Sequence, residues 1–386
     1  MSQQSINAEQ IVQSAFAASG AQAFNDLGFM PIYERYVDAL NSEANLNDAG
    51  VAFHQTRLAD ILANRLRLQD WLIRHPEILE EQIQAPIVVV GLPRTGTTML
   101  HRTIASDSRL MAPLWFEVRY PVPLAETFRE RDERIDIARA EVAAILDAAP
   151  ELAAIHPFDA VAPDEEIMLL EQSFMSTVAE SWAHLPEFGR WLYQQDQQYG
   201  YDDLKRLLQF LQWQKKQCGH PGGRWLLKTP HHLHYPQTLF HTFPDASVIQ
   251  THRHPRHVIP SYASMIHALI APYSNCADKV AIAAHWADKW RRGLDTTATF
   301  RESDQGRYCD LWFEDTVTQP EREITKVYDF IGSELTEEAL AEMRQWRELN
   351  QRENRPEHHY TLEEFGFSDA GICKQFSNYI SRYIER

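Results

Sequence analysis

Apolar residues recur at spacings of three and four from Ala8 to about Gln84, most clearly through Leu58, Ile61, Leu62, Leu66, Leu68, Trp71 and Leu72. Such a stripe predicts amphipathic helices, here an N-terminal helical layer over residues 1–84. The character changes at Ala85. Ala85-Pro86-Ile87-Val88-Val89-Val90-Gly91 is a continuous β-branched run, the pattern of a strand buried on both faces of a parallel sheet. A glycine-bounded loop follows at once, and helical spacing resumes from Thr98 to Ala105. Strand, loop and helix in that order form the βα unit that binds phosphate groups.

Further strands are expected at Arg224–Leu227, Ser247–Thr251 and Arg307–Trp312, separated by helical segments that include Glu126–Leu146 and Asp203–Gln217. An aromatic-rich stretch runs from His156 to Tyr201, and Phe376, Tyr379, Ile380, Tyr383 and Ile384 predict a closing C-terminal helix. Alternation of this kind implies an α/β protein: a three-layer parallel sheet carrying a P-loop-like turn, with the helical layer packed on the 85–386 domain as one compact unit.

The formal net charge of −17 excludes a protein built to lie along nucleic acid or an anionic membrane, because those partners need a basic footprint. An anionic ligand must be gripped locally, so a compact Arg/Lys cluster beside loop-forming residues carries weight. Met1 to Phe16 lacks the basic and apolar regions of a signal peptide, and no segment reaches the roughly 20 apolar residues of a membrane span. Cys218, Cys276, Cys309 and Cys373 have no metal-ligand spacing, so reduced thiols, no structural metal and a cytoplasmic location are expected.

The loop Gly91-Leu92-Pro93-Arg94-Thr95-Gly96-Thr97-Thr98 has the two glycines and final hydroxyl of a Walker A loop, but Thr97 stands where the lysine should be. Backbone N–H groups and the helix N-terminus can still cradle a 5′-phosphate, and Arg94 supplies a forked cation inside the turn. A second strand, turn and helix follow at Ser247–Ser261, where Arg253 ends the strand and Ser261 lies eight residues on. Ligands of open parallel sheets collect outside the carboxyl ends of the strands, so Arg253 should face the crevice that holds the first loop.

These residues resemble the sulfotransferase family that uses 3′-phosphoadenosine 5′-phosphosulfate (PAPS). The Pro-Arg-Thr-Gly-Thr-Thr form is more similar to tyrosylprotein sulfotransferases and their bacterial relatives than to steroid and phenol enzymes, which carry Lys at the Arg94 position and Trp where this chain has Met99. The resemblance covers about Pro86 to Gly332. It implies a metal-free enzyme moving a sulfuryl group from PAPS, as co-substrate, to a hydroxyl of a small-molecule acceptor. Arg94, Thr95, Gly96, Thr97 and Thr98 would hold the phosphosulfate, Lys228 would meet the leaving oxygen, and Arg253 and Ser261 would bind the 3′-phosphate. His254 occupies a position that is often acidic in relatives, and His358-His359-Tyr360 resembles a terminal region that closes over the donor.

The acceptor hydroxyl must lose a proton as it attacks, which calls for a carboxylate or imidazole. Glu117 falls a short way after the first loop, much as the catalytic glutamate does in the tyrosylprotein branch, and is the preferred base. His231 and His232 follow Lys228 closely, although Pro230 stands where other branches keep a base histidine. Trp115, Phe116, Tyr120, Phe158, Phe174 and Trp182 are candidates for an apolar acceptor pocket, and Glu165 and Glu166 for orienting an acceptor or for a structural ion pair. Two other functions fit a nucleotide crevice: a degenerate P-loop kinase or NTPase, and a binding protein without turnover.

Overall fold

The computed structural model describes residues 5–155, 158–303, 305–351 and 360–385. His358 and His359, and the His156 end of the aromatic stretch, lie outside the described residues.

A five-stranded, all-parallel sheet forms the centre, with strands β1 (Ile87–Gly91), β2 (Leu110–Met111), β3 (Arg224–Lys228), β4 (Ser247–His252) and β5 (Arg307–Trp312) in the order β2-β3-β1-β4-β5. The strand alternation splits into two cores. Val88, Val90, Leu227 and Val248 pack with Leu204, Leu208, Val258 and Trp286 on one face. Ile87, Val89, Leu226, Ile249 and Leu311 pack with Leu100, Ile104, Val327 and Met343 on the other. Every residue of β1 is buried, each fully buried Val or Ile contributing roughly 1.5–3 kcal/mol of transfer free energy. This is the three-layer architecture expected, and the continuous apolar run at residues 87–90 is its cause.

Four helices open the fold: α1 (Ala8–Ser19), α2 (Met30–Ser42), α3 (Asp48–Arg74) and, after β1, α4 (Thr97–Ile104). Asn7 and Asn47 cap α1 and α3 by accepting from the N–H groups of Gln10 and Gly50, and Gly20 ends α1 in the left-handed region. The first three helices share an apolar cluster with Phe174, Met175, Ala179, Leu185, Phe188 and Leu192, so this layer and the 174–192 segment have a common core.

Two expectations shift in detail, and one strand was not anticipated. The stretch 126–146 is divided into a 3₁₀ turn (Glu126–Arg129) and a helix (Glu133–Ala148), because Asp132 caps a new helix by accepting from Arg134 N–H. The closing segment consists of two short helices, Asp369–Gln375 and Ser377–Tyr383, meeting at Phe376. Strand β2 is an edge of two residues, too short to show any periodicity.

Register places the chemistry. Val89 lies beside Lys228 and Gly91 beside Thr251, so the loop after β1, the lysine ending β3 and the arginine after β4 leave the same edge of the sheet side by side. The chain reverses its direction of travel across the sheet at β1, where a crevice must open.

Candidate active site

Close packing shapes the loop after β1. A Cβ on Gly91 would lie 2.2 Å from Thr251 Oγ1 and 2.8 Å from the Thr251 carbonyl oxygen, so only glycine permits β4 to approach this closely. The Thr95 hydroxyl donates to the Leu92 carbonyl at 2.7 Å and lies 2.6 Å from Thr251 Oγ1, closing the turn and tying it to β4. Arg94 and Gly96 both have positive φ, 70° and 84°. Glycine accepts this freely, whereas a non-glycine residue there costs about 1–2 kcal/mol, strain that the surrounding contacts must hold in place. Gly96 then leads into α4 without a side-chain cap, leaving the helix start to backbone N–H groups alone.

Arg253, the second predicted anion-binding residue, meets the loop. Arg253 donates from Nη1 to the Arg94 carbonyl at 2.9 Å, and its guanidinium lies over the Phe313 ring, 3.9 Å from the centroid. Arg94 in turn donates from Nε to Ser261 Oγ at 3.2 Å. Ser261 is buried on the helix Pro255–Ile270, which His254 caps by accepting from Arg256 N–H at 3.2 Å. Partial burial, aided by Arg256, lowers the pKa of His254, which favours the neutral ring that a capping acceptor requires. Burial also lowers the pKa of Arg253, but a guanidinium remains charged at any ordinary pH.

Lys228 closes the third side. Its side chain is 1% exposed, and Nζ pairs with the Glu165 carboxylate and lies 3.5 Å from Thr98 Oγ1, at the start of α4. Its backbone N–H donates to Glu166 Oε2 at 2.7 Å. Glu166 Oε1 is 2.9 Å from His232 Nε2, and His232 Nδ1 is 2.6 Å from the Tyr201 hydroxyl. With Nε2 as donor to the carboxylate, Nδ1 accepts from the tyrosine, and every member of the chain is buried.

Beside this cluster is a cavity of about 140 Å³. Arg94, Thr97, Thr98, Asp164 and Glu165 form its polar side, and Trp115, Phe158, Met168, Trp182, Tyr262, Met265, Leu269 and Trp290 much of its apolar wall. Among the described residues no group of three or more His, Cys, Asp or Glu could hold a metal ion, and no helix is long and apolar enough to cross a membrane.

A sequence model of the sulfotransferase family matches residues 86–337. The chain belongs to that family. Among solved structures, this sulfotransferase is similar to the sulfotransferase STF1 of Mycobacterium tuberculosis H37Rv, with 27% identity over 96% of this chain and 98% of that one and a TM-score of 0.83. It shares its fold with STF9 of Mycobacterium avium, at 24% identity over 100% and 98% of the two chains and a TM-score of 0.85. No curated protein sequence matches it.

In this sulfotransferase the loop residues, Arg253, Ser261 and Lys228 are gathered at one sheet edge, whereas the three base candidates, Glu117, His231 and His232, are not among the residues lining the cavity. Both Glu117 oxygens are bound by Lys215 Nζ, at 2.7 and 2.8 Å, and Oε2 also accepts from Leu114 N–H. His232 is enclosed by Glu166 and Tyr201. His231 is buried with its pKa pushed well below the ordinary value, first by desolvation, and its Nδ1 lies 3.4 Å from Thr177 Oγ1. Of the six aromatic candidates, Trp115, Phe158 and Trp182 line the cavity. Phe116 packs in the main core, Tyr120 donates to Glu141, and Phe174 lies in the N-terminal cluster. Sequence reasoning offered Glu165 an acceptor-orienting or ion-pair role but not its partner, Lys228, 63 residues away. The available signal was Asp164-Glu165-Glu166 set among apolar residues, where burial of three carboxylates demands partners. A buried trio was missed as well: Glu180 is paired with Lys289 and with His285 Nε2 at 2.7 Å, beside the cavity residues Ser181, Trp182 and Trp290.

Proposed function

We propose that this sulfotransferase moves the sulfuryl group of PAPS onto the hydroxyl of a small, largely apolar acceptor. The observation that carries the donor assignment is the meeting of two anion holders: Arg253 on the Arg94 carbonyl, and Arg94 on Ser261. Arg94 and the Thr95–Thr98 turn would cradle the 5′-phosphosulfate, while Arg253 and Ser261 would take the 3′-phosphate, at roughly 1.5–3 kcal/mol per charge-assisted bond. Lys228, whose Nζ is near Thr98 Oγ1, would stabilise charge on the leaving 5′-phosphate oxygen. On the donor side, in-line transfer draws on this positioning and electrostatics, and Thr97 in place of the Walker lysine disfavours a nucleoside triphosphatase.

The acceptor assignment rests on the cavity. Its volume is close to the roughly 150 Å³ that accommodates a benzene molecule in an engineered protein cavity, and its walls are mainly aromatic and aliphatic. Arg57, the cation at its far end, is already paired with Glu171 at 2.5 Å, which supports an uncharged acceptor of about one ring, such as a phenol or benzylic alcohol. Calorimetry comparing adenosine 3′,5′-bisphosphate with ATP and Mg²⁺ tests the donor: preference for the bisphosphate is expected, and preference for ATP would overturn the assignment. Arg94→Ala is expected to abolish transfer, and a fully active variant would remove Arg94 from the site.

A further inference from the structure

With Glu117 and His232 held elsewhere, the carboxylates that line the cavity are Asp164, buried against Arg102, and the more open Glu165. We infer that Glu165 is the proton acceptor of the transfer and that Lys228 joins it to the donor. This inference rests on the sulfuryl-transfer reading above.

Three observations converge on Glu165. It lines the same cavity as Arg94, Thr97 and Thr98, so an acceptor seated against the apolar walls meets the loop and the carboxylate together. Its side chain is 21% exposed, open enough to reach a ligand, whereas its neighbour Glu166 is wholly enclosed and occupied by Lys228 N–H and His232. One ammonium touches both Glu165 and the start of α4, so the base and the leaving-group site are one side chain apart. The carboxylate is also suited to taking a proton. Desolvation raises its pKa above the ordinary value despite the opposing effect of Lys228, and Asp164 and Glu166 raise it further. Arg57 from α3, Arg94 from the loop, Asp164 beside Glu165 and Tyr262 from the helix Pro255–Ile270 are the other charged or titratable residues lining this cavity.

In the step, the acceptor O–H bond breaks and its proton passes to Glu165. The oxygen forms a bond to sulfur while the bond from sulfur to the 5′-phosphate oxygen breaks. That electron pair stays on adenosine 3′,5′-bisphosphate, beside Lys228, and the proton on Glu165 is later released to water. Donor binding would draw Lys228 toward the phosphosulfate, weakening its hold on Glu165 and making the carboxylate a stronger base when a sulfuryl group is ready to move.

The test compares wild type, Glu165→Gln and Glu165→Asp with PAPS and two acceptors: benzyl alcohol, which holds its proton tightly, and 4-nitrophenol, which is largely ionised near neutral pH. Glu165→Gln should bind adenosine 3′,5′-bisphosphate within about threefold of wild type while kcat with benzyl alcohol falls about 10²–10⁴-fold, the range for a general base. The loss should be much smaller with 4-nitrophenol. The wild-type rate should fall at low pH on a limb that the Gln variant lacks, and Glu165→Asp should be intermediate. Equal losses on both acceptors, or kcat retained with benzyl alcohol, would overturn the inference. Should Glu165→Gln not fold, absence of the acid limb in wild type would do the same. Failure of wild type to bind the bisphosphate or transfer from PAPS would instead refute the functional reading.

Discussion

Removing the charge from Glu180 should expose the cost of the ion cluster beneath the acceptor cavity. Glu180 is fully buried between Lys289, 4% exposed, and His285, 9% exposed, and its own pKa is lowered to about 2. Burial acts to raise that pKa, but Lys289 and His285 together outweigh it. Glu180→Gln keeps the shape and one acceptor atom but leaves the Lys289 ammonium in the interior without a counter-charge. Breaking a buried pair in this way costs about 3–5 kcal/mol, and the retained hydrogen bonding places this variant near 3. Unfolding entropy of about 2.1 cal/mol/K per residue gives roughly 0.8 kcal/mol/K for 386 residues, so Tm should fall by about 4 °C.

The pH dependence gives a sharper test. In wild type the depressed carboxylate contributes stability above its unfolded pKa of about 4.3, and that stability is lost as pH falls toward about 2. In the variant the controlling group is Lys289, whose pKa burial already lowers. Without Glu180 it falls further below the unfolded value of about 10.4, so between the two the unfolded chain binds more protons and stability rises with pH. Denaturant unfolding at pH 7 and pH 9.5 should show the deficit shrinking at the higher pH, and Glu180→Gln with Lys289→Met should recover most of it. A deficit independent of pH and unchanged in the double variant would refute this account of the cluster.

Gly91→Ala forces a methyl group against the Thr251 hydroxyl and carbonyl at a φ of 148°, and should destabilise the fold by more than about 1–3 kcal/mol while weakening bisphosphate binding at least tenfold; wild-type binding by calorimetry would contradict the close approach. Arg253→Ala should weaken adenosine 3′,5′-bisphosphate binding by about 10- to 150-fold, the equivalent of one charge-assisted bond, with kcat at saturating donor nearly unchanged. An unchanged Kd would remove Arg253 from the donor site. Glu117→Gln should leave kcat within about threefold while costing roughly 1–3 kcal/mol, because Lys215 loses its charged partner; a hundredfold loss of kcat at normal stability would restore Glu117 as the base.

The sheet was largely readable because its central strands β1 and β4 are buried on both faces and need no partner to declare themselves. Ile87–Val90 is apolar whichever neighbour it acquires, and the Arg307–Trp312 strand agrees with its expected limits. The position of the loop after β1 was legible for a similar reason: glycine positions, strand ends and helix starts are local properties of the chain. The acceptor side was not. Whether Glu117 reaches the cavity depends on Lys215, 98 residues away, and whether His232 is available depends on Glu166 and Tyr201. Glutamate and histidine act alike as bases in a sequence, and only the partner that occupies each one separates a reactive group from a structural one. Tyr262, Met265 and Trp290 likewise became cavity walls through helix packing, with no mark to distinguish them from other core aromatics and aliphatics.

The shared core between the opening helices and residues 174–192 reaches further than scaffolding. Thr177, Val178, Ser181 and Trp182, from that segment, and Arg57, from α3, form part of the chamber, while the anion holders spring from the ends of β1 and β4. One wall of the chamber thus stands on a different foundation from the strand-end residues. On the proposed function, mutational drift among the first helices would reshape that wall and the choice of acceptor while leaving the residues proposed to hold the donor in place.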